Sequence, residues 1–211
     1  MNQSKKNIGA IIDTYAKFAA NKSDVFLLLV LHSTGRRHRS YVQTLDFDVH
    51  GMLREHNLTD KCFVMEQILG DEGIARIFKM SDCLIYPSIG EGFGLQICEA
   101  QRCKCIPIAT DYTSLSELVN NYKGLLIKVG AYVRGPWNVR RAVIDSNSLV
   151  GQLEYLYILR KHNAGLYKKY QDTGYNFASN LTWDSSYGRL KEALNKVINK
   201  EDIVDLELER L

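Results

Sequence analysis

Residues 81–99 read SDCLIYPSIGEGFGLQICE, and the reading of this stretch decides the fold. Cys83, Leu84, Ile85 and Tyr86 form a short apolar run between Asp82 and Pro87, the pattern of a strand covered on both faces in a parallel sheet. Gly90, Gly92 and Gly94 then break the run. Glycine permits positive φ and close approach of a ligand to the backbone, so Glu91-Gly92-Phe93-Gly94 can turn its amide N–H groups toward one point. Leu95, Cys98 and Ala100 with Gln101 read as the opening of a helix, whose free N–H groups and dipole favour an anion. The anion that suits such a turn is a phosphate.

Seven residues separate Glu91 from Glu99. With a helix starting near residue 94, Glu91 lies on the turn and Glu99 more than one helical turn inside, so the two carboxylates are spread along a ligand rather than touching. A carboxylate accepts two hydroxyl hydrogen bonds, each charge-assisted and contributing ~1.5–3 kcal/mol. Vicinal diols are natural partners: a sugar ring at Glu91 and a ribose at Glu99. Two solvated acids at a helix end fit the same spacing, with Glu91 merely complementing the dipole. Spacing alone leaves both readings open.

The longer string SDCLIYPSIGEGFGLQICEAQRCKCIPIATDYTSLSELV resembles the motif region of the retaining, nucleotide-sugar-dependent glycosyltransferases of the GT-B fold, the family 4-like enzymes with a Glu-x7-Glu motif. The resemblance rests on the strand ending in Pro87-Ser88, the turn from Glu91 to Leu95, Glu99-Ala100, a proline-containing strand at Ile106 to Ala109, Thr110-Asp111, and Glu117 before Leu118-Val119. Weaker similarity runs from Lys5 to about Asn199. It implies an α/β fold with a doubly wound parallel sheet (Rossmann-like), the C-terminal, donor-binding half of a GT-B enzyme. Residues 1–211 then form one nucleotide-sugar-binding domain, with 182–200 as a closing helix, 201–211 as an acidic tail, and no N-terminal acceptor domain.

The resemblance also implies roles. Lys6 and the backbone of Gly92, Phe93, Gly94 and Leu95 hold the donor diphosphate, Glu91 orients the transferred sugar as the catalytic carboxylate, and Glu99 holds the ribose. Glu66 opens the loop that touches the base, Thr110 stands at a strand's carboxyl end, and Glu117 supports the neighbouring loop from a buried position or contacts the ligand. The family often has two glycines where Thr113 and Ser114 stand here. No metal or further cofactor is implied; a nucleotide diphosphate sugar is the donor, and a glycan, lipid or protein hydroxyl the acceptor. In the family a glycine-ended strand precedes the helix that begins after Lys6, and this sequence has no counterpart of it. The chain is therefore expected to begin inside a domain, to need an N-terminal domain in cis or in trans, and to transfer sugar poorly alone. A non-catalytic sugar-nucleotide-binding or interaction module is the competing expectation. Epimerisation or phosphorolysis in the same fold is a third.

Composition agrees with a globular domain: 211 residues, 45% hydrophobic and 24% charged. No apolar run approaches the ~20 residues of a membrane-spanning helix and no signal peptide opens the chain, which reads as cytoplasmic. A net charge of +3 gives no case for nucleic acid. Five cysteines, none in a CxxC pair, argue against a disulfide framework, and Cys103-Lys104-Cys105 lacks a histidine neighbour for a metal clip. Elsewhere, helical spacing predicts an amphipathic helix over 7–20, another from Leu45 to Asn57, and further helices over 71–80, from Leu149 to Leu159 and over 166–181. Strands are predicted at Val25–Leu31, Cys62–Met65 and Leu125–Val129. His32–Tyr41 reads as a solvated basic loop or as a further phosphate or acceptor contact, and 131–146, with Trp137 and three arginines, as a surface insertion or as a reach toward an acceptor. The apolar stripe Tyr187, Leu190, Leu194 and Val197 reads as packing.

Overall fold

The computed structural model describes residues 6–31 and 48–199. The basic loop, the first residues of the helix expected from Leu45, and the acidic tail lie outside them.

Strand and helix alternate through most of the chain. The order is α1 (Ile8–Ala19), β1 (Leu27–Val30), α2 (Val49–Glu55), β2 (Cys62–Met65), α3 (Asp71–Met80), β3 (Cys83–Tyr86), α4 (Leu95–Arg102), β4 (Ile106–Thr110), α5 (Ser114–Val119) and β5 (Leu125–Ile127). An antiparallel hairpin follows, β6 (Val129–Arg134) and β7 (Arg140–Ile144), then three helices, α6 (Ser146–His162), α7 (Ala164–Ser179) and α8 (Trp183–Ile198). β1 pairs with β2, and β3, β4 and β5 pair in that order, all parallel. Among the described residues β1 and β3 each have a partner on one edge only. The alternation of parallel strands and helices is that of the expected doubly wound, Rossmann-like sheet.

Burial explains the elements. β4 is buried at every position, as a central parallel strand must be, and Ile108 is inaccessible to solvent. α1 turns Ile8, Ile11, Ile12, Tyr15 and Phe18 into a core that it shares with β1, β2, β4, β5 and α6, so one apolar cluster ties the two parallel sheets together. α6 begins at Asp145, whose carboxylate accepts from the N–H groups of Asn147 and Ser148, and buries Leu149, Leu153, Leu156 and Leu159. Tyr167 and Arg160 both donate to Asp82 at 2.9 Å, fixing α6 and α7 to the start of β3.

Two expectations need correcting. β3 is half-buried at Cys83, Leu84 and Ile85 rather than covered on both faces, because it is the last strand of its described sheet. β5 stops at Ile127, since the chain turns into the hairpin at Val129. Residues 129–144 pair as two antiparallel strands, and the expected surface insertion takes that form. α8 buries no residue among those described: Tyr187, Leu190, Leu194 and Val197 are all more than half exposed, and Trp183 is 90% exposed.

Candidate functional site

The site is assembled where β3 ends. Tyr86 is buried, Ser88 is fully enclosed, and the chain then turns through Gly90–Gly94 into α4. Gly94 caps the helix at φ 98, a left-handed conformation that glycine adopts without strain, and a β-carbon there would stand 2.9 Å from Leu115 Cδ2. Two bonds from the next loop hold the turn: Glu91 N–H donates to Thr113 Oγ1 at 3.3 Å, and Ser114 Oγ donates to the Phe93 carbonyl at 2.7 Å. Thr113 adopts φ 56, so the position where the family often has glycine keeps a positive φ here with a threonine. Among the described residues, the N–H groups of Gly92, Phe93 and Gly94 donate to no protein acceptor. They open α4 and lie at the positive end of its dipole.

Lys6, just before α1, meets this turn from 85 residues away. Its ammonium donates to Glu91 Oε1 at 2.6 Å, contacts the Tyr86 hydroxyl, and lies 4.2 Å from the Tyr86 ring centre. Ser88 Oγ at 2.7 Å and Tyr86 OH at 3.0 Å donate to the same Glu91 oxygen. Among the described residues nothing donates to Glu91 Oε2, which is left to accept from a hydroxyl. Partial burial alone pushes the Glu91 carboxyl up, but the bonds from Lys6, Ser88 and Tyr86 outweigh it and hold the group below its ordinary 4.5. Burial, the Glu91 charge and then the Glu99 charge push the Tyr86 phenol up, so it stays a donor.

That depression has a sign. A carboxylate with a lowered folded pKa contributes stability above its unfolded value and loses it as the pH falls through the folded value. The Lys6–Glu91 pair is therefore complete at neutral pH and dissolves only below 4.5. A carbon-13 titration of the Glu91 carboxyl should inflect below 4.5 and move upward in Lys6→Met. An inflection unmoved by that substitution contradicts the pairing.

The other expected site residues lie as follows. Glu99 is exposed on α4, and its charge reaches the Tyr86 phenol, so both carboxylates act on one side chain. Phe93 and Leu95 are 48% and 66% exposed on the turn. Thr110 is fully buried at the carboxyl end of β4, and its hydroxyl has no partner among the described residues. Glu66 is exposed after β2, 3.7 Å from His50. Glu117 is exposed on α5, which rules out the buried support expected of it. Tyr86 and Ser88 were not singled out from sequence, although polar side chains flanking Pro87 at a strand's carboxyl end are a usable sign.

A recess of about 590 Å³ lies at the opposite end of the sheet, lined by Asp82, Lys104, Arg160 and Asp172 among others. Four of its charges are paired with one another, Arg160 with Asp82 at 2.9 Å and Lys104 with Asp172 at 2.8 Å. Open parallel sheets bind ligands beyond the carboxyl ends of their strands, so the turn after β3 is the candidate site and the recess is not. Among the described residues no group of three or more histidine, cysteine or acidic side chains gathers to hold a metal ion.

Comparison with known proteins gives the family and the fold. The profile of the family described as "Glycosyl transferases group 1" matches residues 3–134. The "Serotype-specific mannosyltransferase WbdA" of Escherichia coli is 23% identical over 119 residues, 56% of this chain and 14% of that protein. The chain thus spans about a seventh of the curated relative it matches. Sucrose-phosphate synthase from Thermosynechococcus elongatus superposes with a TM-score of 0.68 at 21% identity, over 94% of this chain and 44% of that one. Anabaena Alr3699/HepE, solved in complex with UDP and glucose, gives 0.67 at 18% identity over 92% and 46%. The C-terminal domain of a group 1 family protein (LpcC) from Francisella tularensis gives 0.62 at 18% identity over 84% and 80%. At these identities the likeness is one of fold.

Proposed function

We propose, starting from the fact that the chain belongs to the group 1 glycosyl transferases, that it is the donor-binding half of an enzyme moving a sugar from a nucleotide diphosphate sugar to an acceptor hydroxyl. One observation carries this reading. The unengaged amides of Gly92, Phe93 and Gly94 share a turn with the Lys6–Glu91 pair at the carboxyl end of a parallel sheet. The solved relative that holds UDP and glucose supports it.

In this reading the amides and Lys6 neutralise the departing diphosphate, and that electrostatic stabilisation is the main catalytic contribution. Glu91, its Oε1 fixed by three donors, offers Oε2 to a hydroxyl of the transferred sugar. Glu99 holds the ribose, and the Leu95 backbone joins the amides on the diphosphate. Glu66, Thr110 and Glu117 rank below these, Thr110 because it is enclosed. Positive charge from Lys6 and the helix end is enough to bind the diphosphate without a metal, and we assign the enzyme to the retaining, Glu-x7-Glu, family 4-like type.

Residues 1–211 act as one domain, with 182–200 as its closing helix, completed in cis or in trans by an acceptor domain. The exposed stripe of α8 suits contact with that domain. Among the described residues no helix is long and apolar enough to cross a membrane, which fits the cytoplasmic setting we propose. Calorimetric titration of the chain with UDP, GDP and ADP tests the donor assignment, and saturable binding of one of them is expected.

A further inference from the structure

The β6–β7 hairpin is not accounted for by donor binding. It is fastened to the site: Ala142 N–H donates to the Ile89 carbonyl at 3.0 Å, two residues before Glu91, and Tyr112 OH donates to the Arg140 carbonyl at 2.9 Å. From Ala142 the strand runs back to Arg140, and the chain turns over beyond it through Pro136–Asn138. Trp137 and Asn138 form the tip at φ 54 and 59. Trp137 is 91% exposed, so its indole gains nothing from packing.

Residues 129–144 carry Arg134, Arg140 and Arg141 and no acid. Among the described residues none of the three arginines has a carboxylate within ion-pair distance. Arg140 lies over the Tyr132 ring at 4.3 Å, and Tyr132 leans on Tyr112 with ring centres 5.5 Å apart. The Arg141 guanidinium lies 3.4 Å from where a side chain on Gly90 would begin, and its stem runs along Gly135. Two glycines thus make room for a cation that reaches from the hairpin to the turn bearing Glu91.

Aromatic faces beside planar cations suit a ligand with apolar ring faces and anionic substituents. We infer that the hairpin is an acceptor arm for an anionic saccharide, one carrying carboxylate or phosphate groups, with Arg140 and Arg141 on the anions and Tyr132 and Trp137 on sugar faces. This rests on the donor site proposed above, because only that site makes the hairpin's position an acceptor position. Charge complementarity sets the class.

The test uses the full chain with Trp183→Phe, which leaves Trp137 as its one tryptophan. Tetragalacturonate and a phosphorylated mannotriose are titrated against its fluorescence, beside neutral mannotriose and vesicles of phosphatidylcholine with phosphatidylglycerol. Saturable binding of an anionic saccharide is expected, weakened about tenfold or more in Arg141→Ala and, by calorimetry, in Trp137→Ala. Equal binding of the neutral sugar, binding of vesicles alone, or no saccharide binding overturns the inference. UDP, GDP and ADP are titrated into the same samples. Retained nucleotide binding without saccharide binding removes the arm and spares the donor site, whereas a folded chain that binds neither removes both.

Discussion

Lys6→Ala is expected to weaken binding of the preferred nucleoside diphosphate by at least tenfold, about 1.4 kcal/mol, with the fold intact. Two effects act in the same direction. The substitution removes the ammonium that lies 2.6 Å from Glu91, and it leaves the Glu91 carboxylate facing an incoming diphosphate with only the Tyr86 and Ser88 hydroxyls as partners. Like charges a few ångströms apart at a partly buried site repel by roughly 2–4 kcal/mol at an effective dielectric near 20. Lys6→Ala combined with Glu91→Gln should therefore recover part of the loss. A double-mutant cycle by calorimetry measures that coupling, and strictly additive losses contradict the paired arrangement. Lys6 precedes α1 and lies outside the shared core, so thermal unfolding should change little.

Gly94→Ala should destabilise the chain by about 2–5 kcal/mol. A left-handed non-glycine residue costs roughly 1–2 kcal/mol, and overpacking a filled core adds about 1–3 kcal/mol. Both apply here, because φ is 98 and the new methyl would stand 2.9 Å from Leu115 Cδ2. Leu115 is inaccessible to solvent, in a cluster with Tyr86, Ile97, Ala109, Leu118 and Val119, so it has little room to yield. Gly92→Ala is the matched control, since a β-carbon at Gly92 meets nothing within 4 Å. Urea denaturation of the two variants should separate them clearly, with Gly92→Ala near wild type. The Gly92 methyl would nevertheless crowd the unengaged amides, so its expected defect is in nucleotide binding. Equal stabilities for the two variants would contradict the account of this turn.

The sequence made the core of this site readable because its parts are local. The apolar run 83–86, the glycines after it and the helix from Leu95 lie within one stretch, and strand alternation with glycine turns has a direct physical reading. Lys6 was placed by family resemblance, but its bond to Glu91 joins residues 85 apart, and no local pattern shows that. Tyr86 and Ser88 were hidden for another reason: at a strand end they read as core and turn, and only the fold aims both at one oxygen.

The hairpin failed to read as strands because its alternation is masked. Arg134, Arg140 and Arg141 crowd the turn, and the tip uses Trp137 and Asn138 at positive φ instead of the Asn-Gly pair that marks two-residue hairpins. Of the two readings of Glu117, buried support fails because α5 is short. Leu115, Leu118 and Val119 take its buried face and leave the carboxylate outside. The stripe on α8 has clear helical period, yet period reports which face is apolar and not what covers it.

The most direct test of the donor site is calorimetric titration of the chain with UDP, GDP and ADP, repeated on Glu99→Ala. Glu99 is exposed on α4 and is not in the core, so its loss should spare the fold. The account predicts saturable binding of one nucleotide, weakened about tenfold or more by the substitution, as removal of a charge-assisted bond to the ribose requires. Binding of none of the three by a folded chain, or binding indifferent to Glu99, would contradict it.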